Sequence, residues 1–386
     1  MNEYKLKDLL TIYNGTTYSH LKEGDVPLYG SGGIMSYVNN WLYEGEAILL
    51  PRKGSLKNIM YINGKIWTVD TMYYAETKKE IDTYYLYSYL SLLNLDCLDS
   101  GSALPSMTKS AYGELSISLP DNDTQKIVGG FLKKIDTKIK LNNKINSELE
   151  KIARTLYDYW FVQFDFPDDN GKPYKSSGGE MVWNDELKRE IPKGWEVKRI
   201  SSKIKIGSGF PFKTEDYDDN GKYKIITIKS VQSGYLDINK ADKIDFIPKN
   251  LPDFCKLNKG DVLMSLTGNV GRMCFVDQEN LLLNQRVGKL LADRKFVQYG
   301  YLYFKRPENR IRLEKIANGS SQSNLSPVDT VKDYFVIPKE ETLDSFSIRV
   351  NPIFDTLLKI QEENQKLAEL RDWLLPMLMN GQITVN

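Results

Sequence analysis

The sequence predicts an α+β chain with a pseudo-twofold repeat: two tandem α/β domains, each followed by a long helix. Three observations carry this. Residues 101–161 return as residues 319–379 at a constant offset of 218. Both copies carry apolar residues at heptad spacing. A turn-rich stretch separates the copies. The expected boundaries are a first domain at 1–120, a first long helix at 121–164, a connector at 165–195, a second domain at 196–338 and a second long helix at 339–386.

The repeat is clearest where each domain ends. Gly101-Ser102 matches Gly319-Ser320, and Leu119-Pro120 matches Ile337-Pro338. Each proline closes a short alternating segment that reads as a strand. Beyond it the period changes to that of a helix. Val128, Leu132, Ile135, Ile139, Asn142, Asn146, Leu149, Ala153 and Leu156 fall four and three apart. Phe346, Val350, Ile353, Leu357, Ile360, Asn364, Leu367, Arg371 and Leu374 repeat the pattern at the same offset. A helix of ~35–40 residues is ~55–60 Å long and cannot bury such a stripe alone. The two helices are therefore expected to pack on each other; the alternative is that each packs only on its own domain. Amides on the seam cost stability and fix register. Pro352 is expected to kink the second helix, or to start it afresh with Asn351 as its cap.

The front of the unit repeats more loosely. Glu3-Tyr4-Lys5 resembles Glu196-Val197-Lys198, and Glu44-Gly45-Glu46-Ala47-Ile48-Leu49 resembles Lys259-Gly260-Asp261-Val262-Leu263-Met264. The latter pair reads as a turn and then a buried strand. After it the copies diverge, as a common frame with different loops would. The connector holds Asp168-Asp169-Asn170-Gly171-Lys172-Pro173 and Ser176-Ser177-Gly178-Gly179.

No apolar run reaches the ~18 residues of a membrane span, and the N-terminus leads into no apolar signal core. Cys97, Cys255 and Cys274 fit neither a disulfide framework nor a zinc site, so a reducing cytoplasm is expected. Net charge is +1, but it is unevenly divided. Residues 1–120 carry 10 Lys and Arg against 13 Asp and Glu, a net of −3. Residues 197–338 carry 24 against 16, a net of +8, which suits a phosphate binder.

Catalytic motifs are missing. Asn351-Pro352-Ile353-Phe354 lacks the second proline of an adenine-methyltransferase motif, and there is no Walker A sequence. Gly207-Ser208-Gly209 lacks the third glycine of a dinucleotide loop and reads as a turn. His20 is the only histidine, which argues against a His-based triad or metal site. Glu186-Leu187-Lys188 has the form of a nuclease fragment, a pattern common by chance. The aromatic run Tyr84-Tyr85-Leu86-Tyr87-Ser88-Tyr89 reads as helix core more than as a base-stacking platform, while Trp160 and Phe161 suit either core or a partner contact. No catalytic or metal-binding residues are assigned.

The connector also carries a family resemblance. Tyr159-Trp160-Phe161-Val162-Gln163-Phe164-Asp165-Phe166-Pro167, followed by Ile191-Pro192-Lys193-Gly194-Trp195-Glu196-Val197, resembles the central conserved region of the DNA-specificity subunits of Type I restriction–modification systems. Leu374-Leu375-Pro376-Met377-Leu378-Met379-Asn380-Gly381 resembles the family's C-terminal helix end, and Pro27-Leu28-Tyr29-Gly30-Ser31-Gly32-Gly33-Ile34 a segment of its recognition domains. The resemblance implies two target-recognition domains, each reading half of a split DNA target. It implies that the two long helices pack as an antiparallel coiled coil between them and act as a ruler. It further implies two methyltransferase subunits docked on the chain, S-adenosylmethionine bound by those subunits rather than here, and nuclease–translocase subunits beyond them. No cofactor is expected in this chain.

On that reading, contacts to double-stranded DNA fall to loop residues. In the first domain they are Ser31, Gly32 and Gly33, where backbone N–H groups can approach a phosphate; Arg52, Lys53, Ser55, Lys57 and Asn58; and Ser102, Ser106 and Lys109. In the second they are Lys229, Ser230 and Gln232; Thr267, Asn269 and Arg272; Asn284, Gln285 and Arg286; and Ser320, Ser321, Gln322, Ser323 and Asn324. Arg reads guanine, and Asn or Gln reads adenine, in the major groove. The seam residues are Leu132, Ile135, Ile139, Leu149, Leu156, Val350, Ile353, Leu357, Ile360, Leu367 and Leu374. Two rival readings are a coiled-coil adaptor that binds only protein, favoured by the −3 of the first domain, and a DNA methyltransferase or nuclease with an unrecognised site.

Overall fold

The computed structural model describes residues 1–93, 95, 106–239, 241–317, 323–383 and 385. The chain divides into two compact units, Met1–Leu141 with Lys366–Asn386, and Asn142–Gln365. Each unit therefore combines one domain with a segment of each long helix.

In the first unit six strands form one sheet in the order Leu10–Asn14, Met72–Thr77, Tyr43–Pro51, Met60–Thr68, Glu23–Gly30, Gly33–Val38. Neighbours are antiparallel except Glu23–Gly30 beside Met60–Thr68. Helix Thr83–Leu92 starts at Asp82, whose carboxylate accepts the Tyr85 N–H at 2.8 Å as an N-cap. Tyr84, Tyr85, Leu86 and Leu90 of this helix pack with Ile48 and Leu50 of the central strand, so the aromatic run is core.

The second unit repeats this topology with one break and one added strand, Lys256–Leu257. Lys205–Ser208, Val287–Leu291, Val262–Ser265 and Met273–Phe275 form one sheet; Lys243–Ile244, Tyr223–Ile226, Leu281–Leu283 and Lys256–Leu257 form another. The single strand Met60–Thr68 corresponds to two short ones, Met273–Phe275 and Leu281–Leu283. The first unit's one sheet thereby becomes two, and the parallel pairing survives between Tyr223–Ile226 and Leu281–Leu283.

Each domain opens and closes on a small antiparallel ribbon: Asn2–Lys5 with Ser116–Leu119, and Glu196–Arg199 with Tyr334–Ile337. Leu6 N–H donates to Leu115 O at 2.9 Å, and Ile200 N–H to Asp333 O at 2.8 Å. Leu6 is therefore the equivalent of Ile200, and pairing Glu3 with Glu196 was one residue out. Nearer the domain ends the offset of 218 holds: Thr108 Oγ1 caps Ala111 N–H at 3.1 Å and Ser326 Oγ caps Asp329 N–H at 3.2 Å.

The first long helix is Asn122–Tyr157, capped by Asp121, whose carboxylate accepts Thr124 N–H at 2.9 Å. One π-type turn, Asp158–Val162, follows it. The second is Glu340–Met379. In the first unit Val128 and Leu132 share a core with Leu378 and Met379, and Arg371 bonds Asp136 at 2.7 Å. In the second unit Asn142 Nδ2 donates to Asn364 Oδ1 at 2.9 Å and Tyr157 meets Phe346. Within each unit numbers rise on one segment as they fall on the other, so the segments are antiparallel. The seam is unevenly covered. Leu132, Ile135, Val350 and Leu357 are buried, whereas Ile139, Leu149, Leu156, Ile353, Ile360, Leu367 and Leu374 are half-buried. Each segment packs on its own domain as well as on the other helix.

Three expectations change. Pro352 neither breaks nor restarts the second helix, and Asn351 accepts a bond from Gln298 instead of capping. The carbonyl that Pro352 leaves without a donor belongs to Ile348, a residue 71% exposed, so water can serve it. The connector is folded: Met181–Asn184 and Arg189–Pro192 form a hairpin, Glu186-Leu187-Lys188 lies in its turn, and Phe166 stacks between Tyr174 and Trp195. Trp160 and Phe161 are buried in the same core. Gly207 and Ser208 are not a turn but a strand, paired with Lys289 and Gly288.

Candidate nucleic-acid interface

Four connections meet in each unit, and they meet in the same way. In the first unit the central strand ends at Pro51 and runs into the 52–58 loop. Lys53 forms a bridge with Ser106, and Met107 N–H donates to Arg52 O at 3.0 Å. Asn58 Nδ2 donates to Ser31 O at 2.6 Å, tying this loop to the Ser31–Gly32 hairpin turn. Arg52 N–H donates to Thr71 O at 2.9 Å, and its guanidinium to Asp70 O at 3.3 Å.

In the second unit the strand Val262–Ser265 leads into the equivalent loop. Thr267 bridges Asn324, Leu325 N–H donates to Leu266 O at 2.7 Å, and Leu266 N–H donates to Arg286 O at 3.0 Å. Lys53 thus corresponds to Thr267, Ser106 to Asn324, and Thr71 to Arg286. Gly54 and Gly268 are the next equivalent pair. Both are left-handed, at φ +87° and +69°, and they face Ser31 and Ile228 respectively. A side chain there would be strained, so the loop turns towards the hairpin connection in both units.

The sequence selected most of these positions. Gly32, Lys53, Ser55, Lys57, Lys229, Asn269, Gln285, Arg286 and Asn324 are exposed. Ser31, Gly33, Arg52, Asn58, Ser106, Lys109, Gln232, Thr267, Arg272 and Ser323 are half-buried. Arg272 donates to Gln232 Oε1 at 3.0 Å, and Gln232 Nε2 to Lys229 O at 2.7 Å, so this pair braces the connection. Ser230 and Asn284 depart from expectation. Both are buried, and Asn284 Oδ1 accepts the Arg286 N–H at 3.2 Å, which makes them part of the frame. Ser102, Ser320, Ser321 and Gln322 lie outside the described residues.

Sequence reasoning missed Asp70 and Thr71, the counterparts of Gln285 and Arg286. Nothing in the local sequence marks them; only the shared backbone bonding does. The surface these connections form offers hydrogen-bond donors, acceptors and cations on loops of a rigid frame. Among the described residues no group of three or more His, Cys, Asp or Glu is placed to hold a metal ion, and no helix is long and apolar enough to cross a membrane. Cys255 and Cys274 are buried free thiols, and burial raises the pKa of both.

The sequence profile of the Type I restriction modification DNA specificity domain matches residues 1–151 and again 192–339. The chain belongs to this family. Its role is DNA target recognition, as a specificity subunit without catalysis of its own. Among similar proteins, the Type I restriction enzyme MjaIX specificity subunit of Methanocaldococcus jannaschii is 26% identical, covering 99% of this chain and 93% of that protein. The HindI specificity subunit of Haemophilus influenzae is 26% identical over 72% of this chain and 71% of its own length. The crystal structure of a Type I restriction–modification S subunit from M. genitalium shares the fold, with a TM-score of 0.60 and 14% identity over 98% of this chain and 95% of that one.

Proposed function

We propose that each unit reads one half of a bipartite duplex target and that the two long helices set the gap between the halves. Each domain–helix unit docks one methyltransferase subunit, which binds the S-adenosylmethionine, and nuclease–translocase subunits complete the assembly in the cytoplasm. One observation supports two separate readers above all others: the same four-connection cluster recurs on the same frame with different side chains. Lys53 against Thr267, Ser106 against Asn324 and Thr71 against Arg286 are different chemistries at equivalent places. A frame that keeps its backbone and changes its loops suits two different half-sites.

The test is a domain exchange. Adding the chain to its methyltransferase should confer methylation at one bipartite motif, read by single-molecule methylation sequencing. Replacing residues 6–115 with those of another recognition domain should change one half of that motif only. A change in both halves, or in neither, refutes the two-reader assignment. Failure of the assembled complex to retain DNA at low salt would favour the protein-only adaptor.

A further inference from the structure

The first domain, residues 1–120, carries a net charge of −3, so phosphate attraction alone does not explain how it holds DNA. Beside its loop cluster stands a surface of another kind. The ribbon Glu23–Gly30 and Gly33–Val38 ends the sheet, and Gly33–Val38 is an edge strand. Just past the Ser31–Gly32 turn it presents Ile34 and Tyr37, each 51% exposed, which pair with Tyr29 and Pro27 and so share one face of the ribbon. Two exposed apolar side chains on one face of an edge ribbon suit a contact surface. The ribbon is tied to the reading loops, because Asn58 bonds Ser31 and Gly54 faces it. The equivalent hairpin connection of the second unit holds Lys229, Gln232 and the Gln232–Arg272 bond, which are polar groups at the same station.

We propose that this ribbon enters the major groove of the first half-site and that Ile34 and Tyr37 read thymine C5-methyl groups there. The major groove admits a two-stranded β-ribbon, and the thymine methyl is the one apolar mark on its floor. The first unit then reads by apolar contact what the second reads by charge and hydrogen bonds. This rests on the assignment of DNA reading to the first unit.

The experiment uses the complex assembled with its methyltransferase and duplexes bearing the motif it methylates. Thymines of the first half are replaced one at a time by deoxyuridine, which removes only the methyl group. At one or more positions affinity should fall by about fourfold per thymine, the value of one buried methyl group. The same replacement should cost nothing in an Ile34→Ala or Tyr37→Ala complex. Replacements in the second half should show no such coupling to these variants. A complex that discriminates its motif yet ignores deoxyuridine throughout the first half overturns the ribbon assignment, as does a first half-site without an A·T pair. Ribbon variants that block assembly with the methyltransferase, with the chain still folded, also overturn it by making the ribbon a protein contact. A complex that fails to discriminate its motif from scrambled DNA instead overturns the reading function on which the proposal rests.

Discussion

Glu150 offers a direct test of how the second domain is held to the first long helix. One carboxylate oxygen accepts the Tyr301 hydroxyl, and the other lies 2.7 Å from Lys305 Nζ. Tyr301 is buried, and the side chains of Lys305 and Glu150 are only 22% and 26% exposed. Glu150→Ala removes the partner of both. Breaking a buried ion pair costs ~3–5 kcal/mol, and orphaning a buried hydroxyl ~1–3 kcal/mol. The full sum does not apply, because Lys305 still bonds the Tyr301 oxygen at 3.0 Å and keeps some solvent. The expected loss is about 3 kcal/mol, or roughly 6–12 °C in Tm for a unit of this size. Glu150→Gln keeps an oxygen for Tyr301 and loses only the charge, so it should cost about half as much. Urea unfolding followed by the fluorescence of Trp160 and Trp195, buried in the same core as Tyr301, reads the transition. A Glu150→Ala loss under about 0.5 kcal/mol, or equal losses for Ala and Gln, would refute the reasoning.

Three further outcomes are expected. Burial pushes the Asp277 carboxyl from 3.8 up to about 6, so the folded state favours its protonated form and loses stability as pH rises through about 6. Asp277→Asn should therefore raise the urea midpoint at pH 8, by about 3 kcal/mol of stability, and leave it nearly unchanged at pH 4; a gain independent of pH would contradict this. Replacing Lys229 and Arg286 together with Ala should reduce the slope of log affinity against log salt by about 2, measured by fluorescence anisotropy on the assembled complex. Pro352→Ala restores a donor N–H at position 352 for the Ile348 carbonyl, and calorimetry should show about 2–3 kcal/mol of added stability.

The long helices were legible in the sequence because their period repeats over four heptads and each is announced by a proline. The bundle's uneven burial was not, since a heptad at Ile139 or Ile360 looks the same whether or not a domain covers it. The front of each domain was read one residue out, because Asn2–Lys5 and Glu196–Arg199 are short, largely exposed strands with no alternation to fix their register, and loops absorb the difference. The matching sheets were hidden for a similar reason: Met60–Thr68 is continuous in one unit and divided in the other. At the interface, exposed Lys and Arg on loops were legible as a residue type in a place. Asn284 was not, because an amide that bonds its own loop has the same letter as one that reads adenine. Asp70 and Thr71 have no local signature and are found only through Arg52, whose N–H bonds Thr71 and whose guanidinium bonds Asp70.

The small ribbons that begin and end each domain have a genetic consequence. Because Asn2–Lys5 lies against Ser116–Leu119, and Glu196–Arg199 against Tyr334–Ile337, the chain enters and leaves each domain through one narrow gate. Everything between the two strands of a gate is a closed excursion of the backbone. A recombination event with both crossovers at the gate would exchange that excursion as a cassette and leave the helices with their original ends to join. New specificity can then arise in a single inherited step, without passing through a series of weakened loop variants.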